Sequence, residues 1–176
     1  DADPNGIGIF GISKGGSTGF VVAATDPSIR CLATDGAYAT YTTMVPYMQR
    51  WIKIYSDRLK LQRVLPTWFY GVIGVVGVKK VARNRGVTYP SIEKAAKMLR
   101  CPLLMIHGEG DTYIKPDMAR SLFERARGVK VLWIVPKAKH NQALQIAEDE
   151  YTRRVAAFFD THLATLSPAT EVARRN

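Results

Sequence analysis

Ser13 stands at the centre of Gly11-Ile12-Ser13-Lys14-Gly15, between the apolar run Ile7–Phe10 and the apolar stretch Phe20-Val21-Val22-Ala23-Ala24. A Gly-x-Ser-x-Gly pattern set between a strand and a helix puts the serine on a sharp, strained turn, with its hydroxyl clear of the backbone. Strand and helix then pass close together, so the positions two before and two after are expected to be small, as Gly11 and Gly15 are. The helix behind Ser13 offers unpaired N–H groups and a positive dipole end. The Lys14 N–H is thereby the candidate donor to an oxyanion. A serine hydroxyl is a poor nucleophile until a base takes its proton. His140, in the loop Pro136-Lys137-Ala138-Lys139-His140-Asn141, is the candidate base. Asp111, closing His107-Gly108-Glu109-Gly110-Asp111, is the candidate acid that holds the imidazole in one tautomer.

Each role has rivals. Asp35, before Gly36 at the end of the second apolar run, is the alternative acid. His107 reads better as a packed residue at a strand end, and His162, late in the last helix, as structural. Glu109 and Asp117 read as a loop residue and a helix-start charge. Cys31 and Cys101 each stand near the start of an apolar run and are expected to be buried free thiols. No metal-ligand spacing is present, and neither a metal nor a cofactor is expected.

The elements that must position these groups follow from the apolar pattern. Ile7–Phe10, Ile29–Ala33, Leu103–Ile106 and Lys130–Val135 read as four short strands alternating with helices. That alternation predicts an α/β fold with a parallel sheet and right-handed crossovers. The helix after Ser13 stops at Pro27. Ser91 caps a helix running to Arg100, and Pro116 opens one that Gly128 ends. Tyr151, Val155, Phe158, Phe159 and His162 mark a final amphipathic helix. Asp1–Gly6 reads as a turn, and Ser167-Pro168 onward as a polar tail. In open α/β sheets, functional groups gather in loops at the carboxyl ends of strands, which is where Ser13, Asp111 and His140 fall.

Residues 38–97 form a long aromatic-rich excursion with helical spacing at Tyr41, Met44, Met48, Trp51, Ile52, Tyr55 and Leu59. The apolar run 65–78 within it is too short for a membrane span. It is flanked by Lys60, Arg63, Lys79, Lys80 and Arg83. A cap-like insertion over an apolar pocket is the first reading. Trp68, Phe69 and the Val72–Val78 run are then expected to face the Ser13 cleft and select the acyl chain. An ordinary core helix and contact with a membrane surface are the alternatives.

The 176 residues are 47% apolar, enough for one domain with a core, and carry a formal net charge of +10. A basic surface suits anionic partners, including a coenzyme A ester. The cations are scattered along the chain and no nucleic-acid motif accompanies them, so no nucleic-acid partner is expected. No secretory leader is legible, and a chain starting at Asp1 without methionine says little about one.

With these residues in order, the chain resembles the α/β-hydrolase superfamily. Gly11–Gly16, the His107–Asp111 loop and the His140 loop look like the C-terminal half of such a protein, and are similar to the broad serine esterase and prolyl-oligopeptidase-like group. Gly11-Ile12-Ser13-Lys14-Gly15-Gly16 is also similar to the elbow of the acyl-CoA thioesterase and bile-acid acyltransferase family. The resemblance implies a Ser-His-Asp triad acting on a small-molecule ester or thioester through an acyl-enzyme. It implies as alternatives a peptidase of prolyl-oligopeptidase type, or a non-catalytic half-domain. It further implies that preceding strands, and the loop donating a second oxyanion N–H, lie outside this chain. The Ile7–Phe10 strand is then expected to present an open edge for that half or for a second copy.

Overall fold

The computed structural model describes residues 6–55 and 65–163. The turn over Asp1–Asn5, the positions Leu59, Lys60 and Arg63, and the tail from Ser167 lie outside the described residues. Four strands, β1 (Ile7–Ile12), β2 (Ile29–Asp35), β3 (Leu103–Gly108) and β4 (Lys130–Val135), form one sheet in the order β1-β2-β3-β4. Every neighbouring pair is parallel, so each connection is a crossover. The crossovers carry α1 (Lys14–Thr25), then α2 (Tyr41–Tyr55), α3 (Thr67–Arg85) and α4 (Ile92–Met98), then α5 (Pro116–Arg125). After β4 come the short α6 (Ala143–Ile146) and the long α7 (Glu148–Leu163). The β1, β2 and β3 strands each run two residues beyond the sequence expectation, to the points where Ser13, Gly36 and Glu109 leave the sheet.

The strands advance across the sheet in one direction, and right-handed crossovers then fall on one face. Leu32, Leu103 and Met105 point to that face and pack with Phe20 of α1, Ala96 of α4 and Leu122 of α5. Their alternates, Ala33, Leu104 and Ile106, point the other way, onto Tyr151, Phe158 and Phe159 of α7. The period-2 side-chain alternation of a strand is thus filled on both faces. Gly8 lets α7 cross the sheet, because a Cβ there would stand 2.7 Å from the Phe159 ring.

The stretch between β2 and β3 divides. α4 packs on α1 and α5 and buries Ile92, Ala95 and Ala96 in the main core, so it belongs to the layer rather than to the insertion expected at 38–97. α2 and α3 pack on each other. Glu93 of α4 ties the start of α2 to the layer. Its Oε1 accepts the N–H groups of Tyr41 at 2.5 Å and Thr42 at 3.0 Å, at the unpaired start of α2. Its Oε2 accepts the Ser91 hydroxyl at 2.9 Å. Burial would raise the Glu93 carboxyl, but those donors outweigh it and hold it below its ordinary pKa. Among the described residues no helix is long and apolar enough to cross a membrane.

Candidate active site

The turn between β1 and α1 holds Ser13 at φ +51°, ψ −117°, a conformation non-glycine residues rarely adopt. The Ser13 N–H donates to the Asp35 carbonyl at 2.7 Å, which anchors the turn to the end of β2. A Cβ on Gly11 would stand 2.6 Å from both the nitrogen and the Cα of Gly16, and a Cβ on Gly16 2.9 Å from the Gly11 oxygen. The close approach therefore runs between Gly11 and Gly16. Gly15, expected to be the small residue on the helix side, faces open space with nothing within 4 Å of its missing Cβ. The reason is geometric: the first turn of α1 points residue 16 back at the strand and residue 15 away from it.

The Ser13 hydroxyl makes no cap bond to α1; its Oγ lies 2.9 Å from His140 Nε2. The first turn of α1 also carries no acidic residue. Its leading N–H groups, that of Lys14 first, stay without an intrahelical partner.

His140 sits on a loop between Lys137 at φ +62° and Asn141 at φ +56°. Two glycines make room for that loop. A Cβ on Gly108 would meet the Ala138 oxygen at 2.4 Å, and one on Gly36, itself at φ +66°, would meet Asn141 Oδ1 at 2.8 Å and His140 Cε1 at 3.2 Å. The sequence reading names both glycines only at strand ends, in Asp35-Gly36 and His107-Gly108, and gives neither a part in seating His140. His140 Nδ1 lies 2.6 Å from Asp111 Oδ2. Asp111 is only 3% exposed, and its Oδ1 accepts the N–H groups of Tyr113 at 2.8 Å and Ile114 at 2.9 Å. With one oxygen fixed by two backbone donors, the other is aimed at the imidazole. Nδ1–H donates to that carboxylate, leaving Nε2 as the acceptor that faces Ser13. Ser13, His140 and Asp111 are thus brought into one hydrogen-bonded chain.

The other candidates fall elsewhere. The buried Asp35 accepts the Tyr151 hydroxyl on Oδ2 at 3.0 Å, on the α7 side, and its Oδ1 has no hydrogen-bond partner among the described residues. Burial pushes its carboxyl above the ordinary range, against the pull of the Tyr151 bond. His107 is fully buried; its Nε2–H donates to the Ile114 carbonyl at 2.7 Å, which holds the turn that cradles Asp111. Both cysteines are free; burial pushes the Cys31 thiol up to about 11 and the Cys101 thiol upward. Among the described residues no three His, Cys, Asp or Glu side chains converge as a metal site.

A cavity of about 1150 Å³ opens at Ser13 and His140, walled by α1, α2 and α3. Trp68 and Phe69, expected in its wall, do not line it. Trp68 is 67% exposed and packs edge-on against Phe69 at the start of α3. The run 65–78 is apolar all round, and α3 turns Ile73, Gly74, Gly77, Val78 and Val81 to the cavity. Trp68, Val72 and Val76, one turn apart on another face, point to solvent.

Known proteins resemble this chain over half of its length or more. Serine hydrolase BPHL of Mus musculus is 27% identical over 164 residues, covering 86% of this chain and 54% of that protein. The alpha/beta hydrolase domain-containing protein aho-3 of Caenorhabditis elegans is 35% identical over 92 residues, 50% of this chain and 26% of that protein. The chain spans about half the length, or less, of the curated relatives it matches. The Pyrococcus furiosus esterase Pf2001 superposes with a TM-score of 0.60 at 20% identity, over 90% of this chain and 55% of that one. An esterase domain of a Rhodothermus marinus protein superposes at 0.55, with 20% identity, over 89% and 61%. These likenesses establish the α/β-hydrolase fold, with this chain covering about 55–67% of the solved structures it matches. The model of one family, described as PhoPQ-activated pathogenicity-related protein, matches residues 7–172. The chain is therefore an α/β hydrolase that belongs to the PhoPQ-activated pathogenicity-related protein family.

Proposed function

We propose that this protein is a serine hydrolase that cleaves carboxylic ester or thioester bonds through an acyl-enzyme on Ser13. The observation that carries the reading is the unbroken chain from Ser13 Oγ through His140 to Asp111, opening on a largely apolar cavity. The esterase and serine hydrolase names of its relatives support the same reaction class.

His140 Nε2 takes the proton as Ser13 Oγ attacks the substrate carbonyl carbon, and the carbonyl electron pair moves onto oxygen. The Lys14 N–H at the head of α1 donates to that oxyanion. Collapse of the tetrahedral intermediate breaks the bond to the alcohol or thiol, which leaves with the proton from His140. Water, deprotonated by the same nitrogen, then attacks the acyl carbon and frees Ser13 and the acid. Asp111 stays ionised throughout and steadies the imidazolium.

The test is a fluorophosphonate probe on the full-length protein, with p-nitrophenyl butyrate turnover alongside. Labelling of Ser13, with both labelling and turnover lost in Ser13→Ala while the fold persists, is the expected result. Near wild-type kcat in Ser13→Ala would sink the assignment.

A further inference from the structure

We propose that the acyl part of the substrate is a long apolar chain lying between α2 and α3, and that Gly77, with Met44 and Met48, sets the length accepted. The inference rests on the hydrolase reading of Ser13 and names the substrate class of that site. The cavity at Ser13, about 1150 Å³, exceeds the roughly 300–1,000 Å³ usual for a small-molecule pocket and far exceeds the needs of an acetyl group. Among the described residues Lys14 is the one lysine, arginine or carboxylate side chain in its wall.

Gly77 is the informative position. Ile73, Gly77 and Val81 stand one turn apart on α3, and all three line the cavity. Glycine inside a helix is unfavourable relative to alanine, so a close neighbour usually explains it. None is present here: nothing lies within 4 Å of the place a Gly77 Cβ would occupy. Gly77 is exposed on the open side of the cavity, so packing does not require the small residue, and a larger side chain there would take up cavity space. Gly74 has a different role. A Cβ there would stand 3.0 Å from Met44 Cε and 3.4 Å from Met48 Sδ, so its smallness lets both methionines lie against α3. Methionine side chains are unbranched and flexible, and they give the cavity a wall that adjusts to an acyl chain.

The experiment compares kcat/KM of the full-length protein for p-nitrophenyl acetate, butyrate, octanoate and laurate. Each methylene taken from water into the cavity raises kcat/KM up to about fourfold, until the chain outgrows the space. Gly77→Phe is expected to lower the laurate-to-acetate ratio at least about tenfold, the contribution of roughly two displaced methylenes. Gly77→Ala gives an intermediate ratio, and Trp68→Ala leaves it unchanged. A ratio untouched by Gly77→Phe, or an equal fall in Trp68→Ala, overturns the proposal. A binding measurement separates it from the hydrolase reading. In Ser13→Ala, cis-parinaric acid is displaced better by laurate than by butyrate, and Gly77→Phe weakens displacement by laurate. If those shifts hold while no ester turns over, the acyl pocket stands and the hydrolase reading falls. If fluorophosphonate labels Ser13 but neither turnover nor displacement depends on chain length, the acyl pocket alone is refuted.

Discussion

Replacing Asp111 by asparagine tests the proposed chemistry at the point where the structure constrains the outcome most. Oδ1 of Asp111 accepts two backbone N–H groups, from Tyr113 and Ile114. An asparagine in the same place must keep its carbonyl oxygen on those donors, since turning the amide over would set NH₂ against N–H and leave buried donors unpaired. Its NH₂ group is therefore directed at His140 Nδ1, now 2.6 Å from Oδ2. A donor there can only be met by an unprotonated Nδ1. The imidazole proton moves to Nε2, facing Ser13 Oγ at 2.9 Å, and the base loses its lone pair where the serine proton must go. The expected loss in kcat is about 10⁴, the scale found when the corresponding substitution traps the wrong tautomer in a serine protease. The Asp111→Asn protein should keep its fold, because the two cap bonds to the 113–114 turn survive. The assay is steady-state hydrolysis of p-nitrophenyl butyrate and fluorophosphonate labelling rate, with circular dichroism as the check on folding. Asp35→Asn is the control and should stay within a few-fold of wild type. A folded Asp111→Asn protein within about tenfold of wild-type kcat would refute the tautomer argument, and a large loss in the control would move the acid to Asp35.

Asp35→Asn also carries a stability prediction. Burial raises the folded-state pKa of Asp35 above its ordinary value of 3.8. A raised pKa favours folding fully below the unfolded value, and that advantage is lost as pH rises through the folded one. The asparagine variant should therefore gain thermal stability over wild type as pH climbs from about 4 towards 7; a gain that shrinks over that window would contradict the burial argument. The remaining prediction concerns the outer strand. Among the described residues β1 pairs on one side, with β2, and leaves Ile7 and Ile12 half exposed. Expressed alone, residues 1–176 should self-associate through that edge. If a loop from outside these residues donates a second N–H to the oxyanion, they should turn esters over about 10²–10³ more slowly than a longer chain that carries it. A stable monomer by light scattering with full-length activity would show that no second donor from outside the chain is needed.

Local sterics and loop chemistry are legible in the linear sequence. A serine between an apolar strand and an apolar helix, flanked by glycines, meets requirements set within about ten residues, so the Ser13 turn needs no partner to be recognised. Four apolar runs alternating with helices likewise imply the parallel sheet, because parallel neighbours need crossovers. Contacts made across the fold are not legible in this way. Asp35 ends one buried strand and Asp111 follows another; what separates them is that Asp35 meets the Tyr151 hydroxyl of α7 and Asp111 meets His140 of the loop after β4, partners far away in the linear order. Gly16 rather than Gly15 meets Gly11, since the crossing of helix over strand chooses the residue. The run 65–78 is apolar on every side, so its period cannot say which face is covered. Only the packing of α3 against α2 turns Gly77 to the cavity and Trp68 to solvent, because burial belongs to the assembled layers and not to the helix alone.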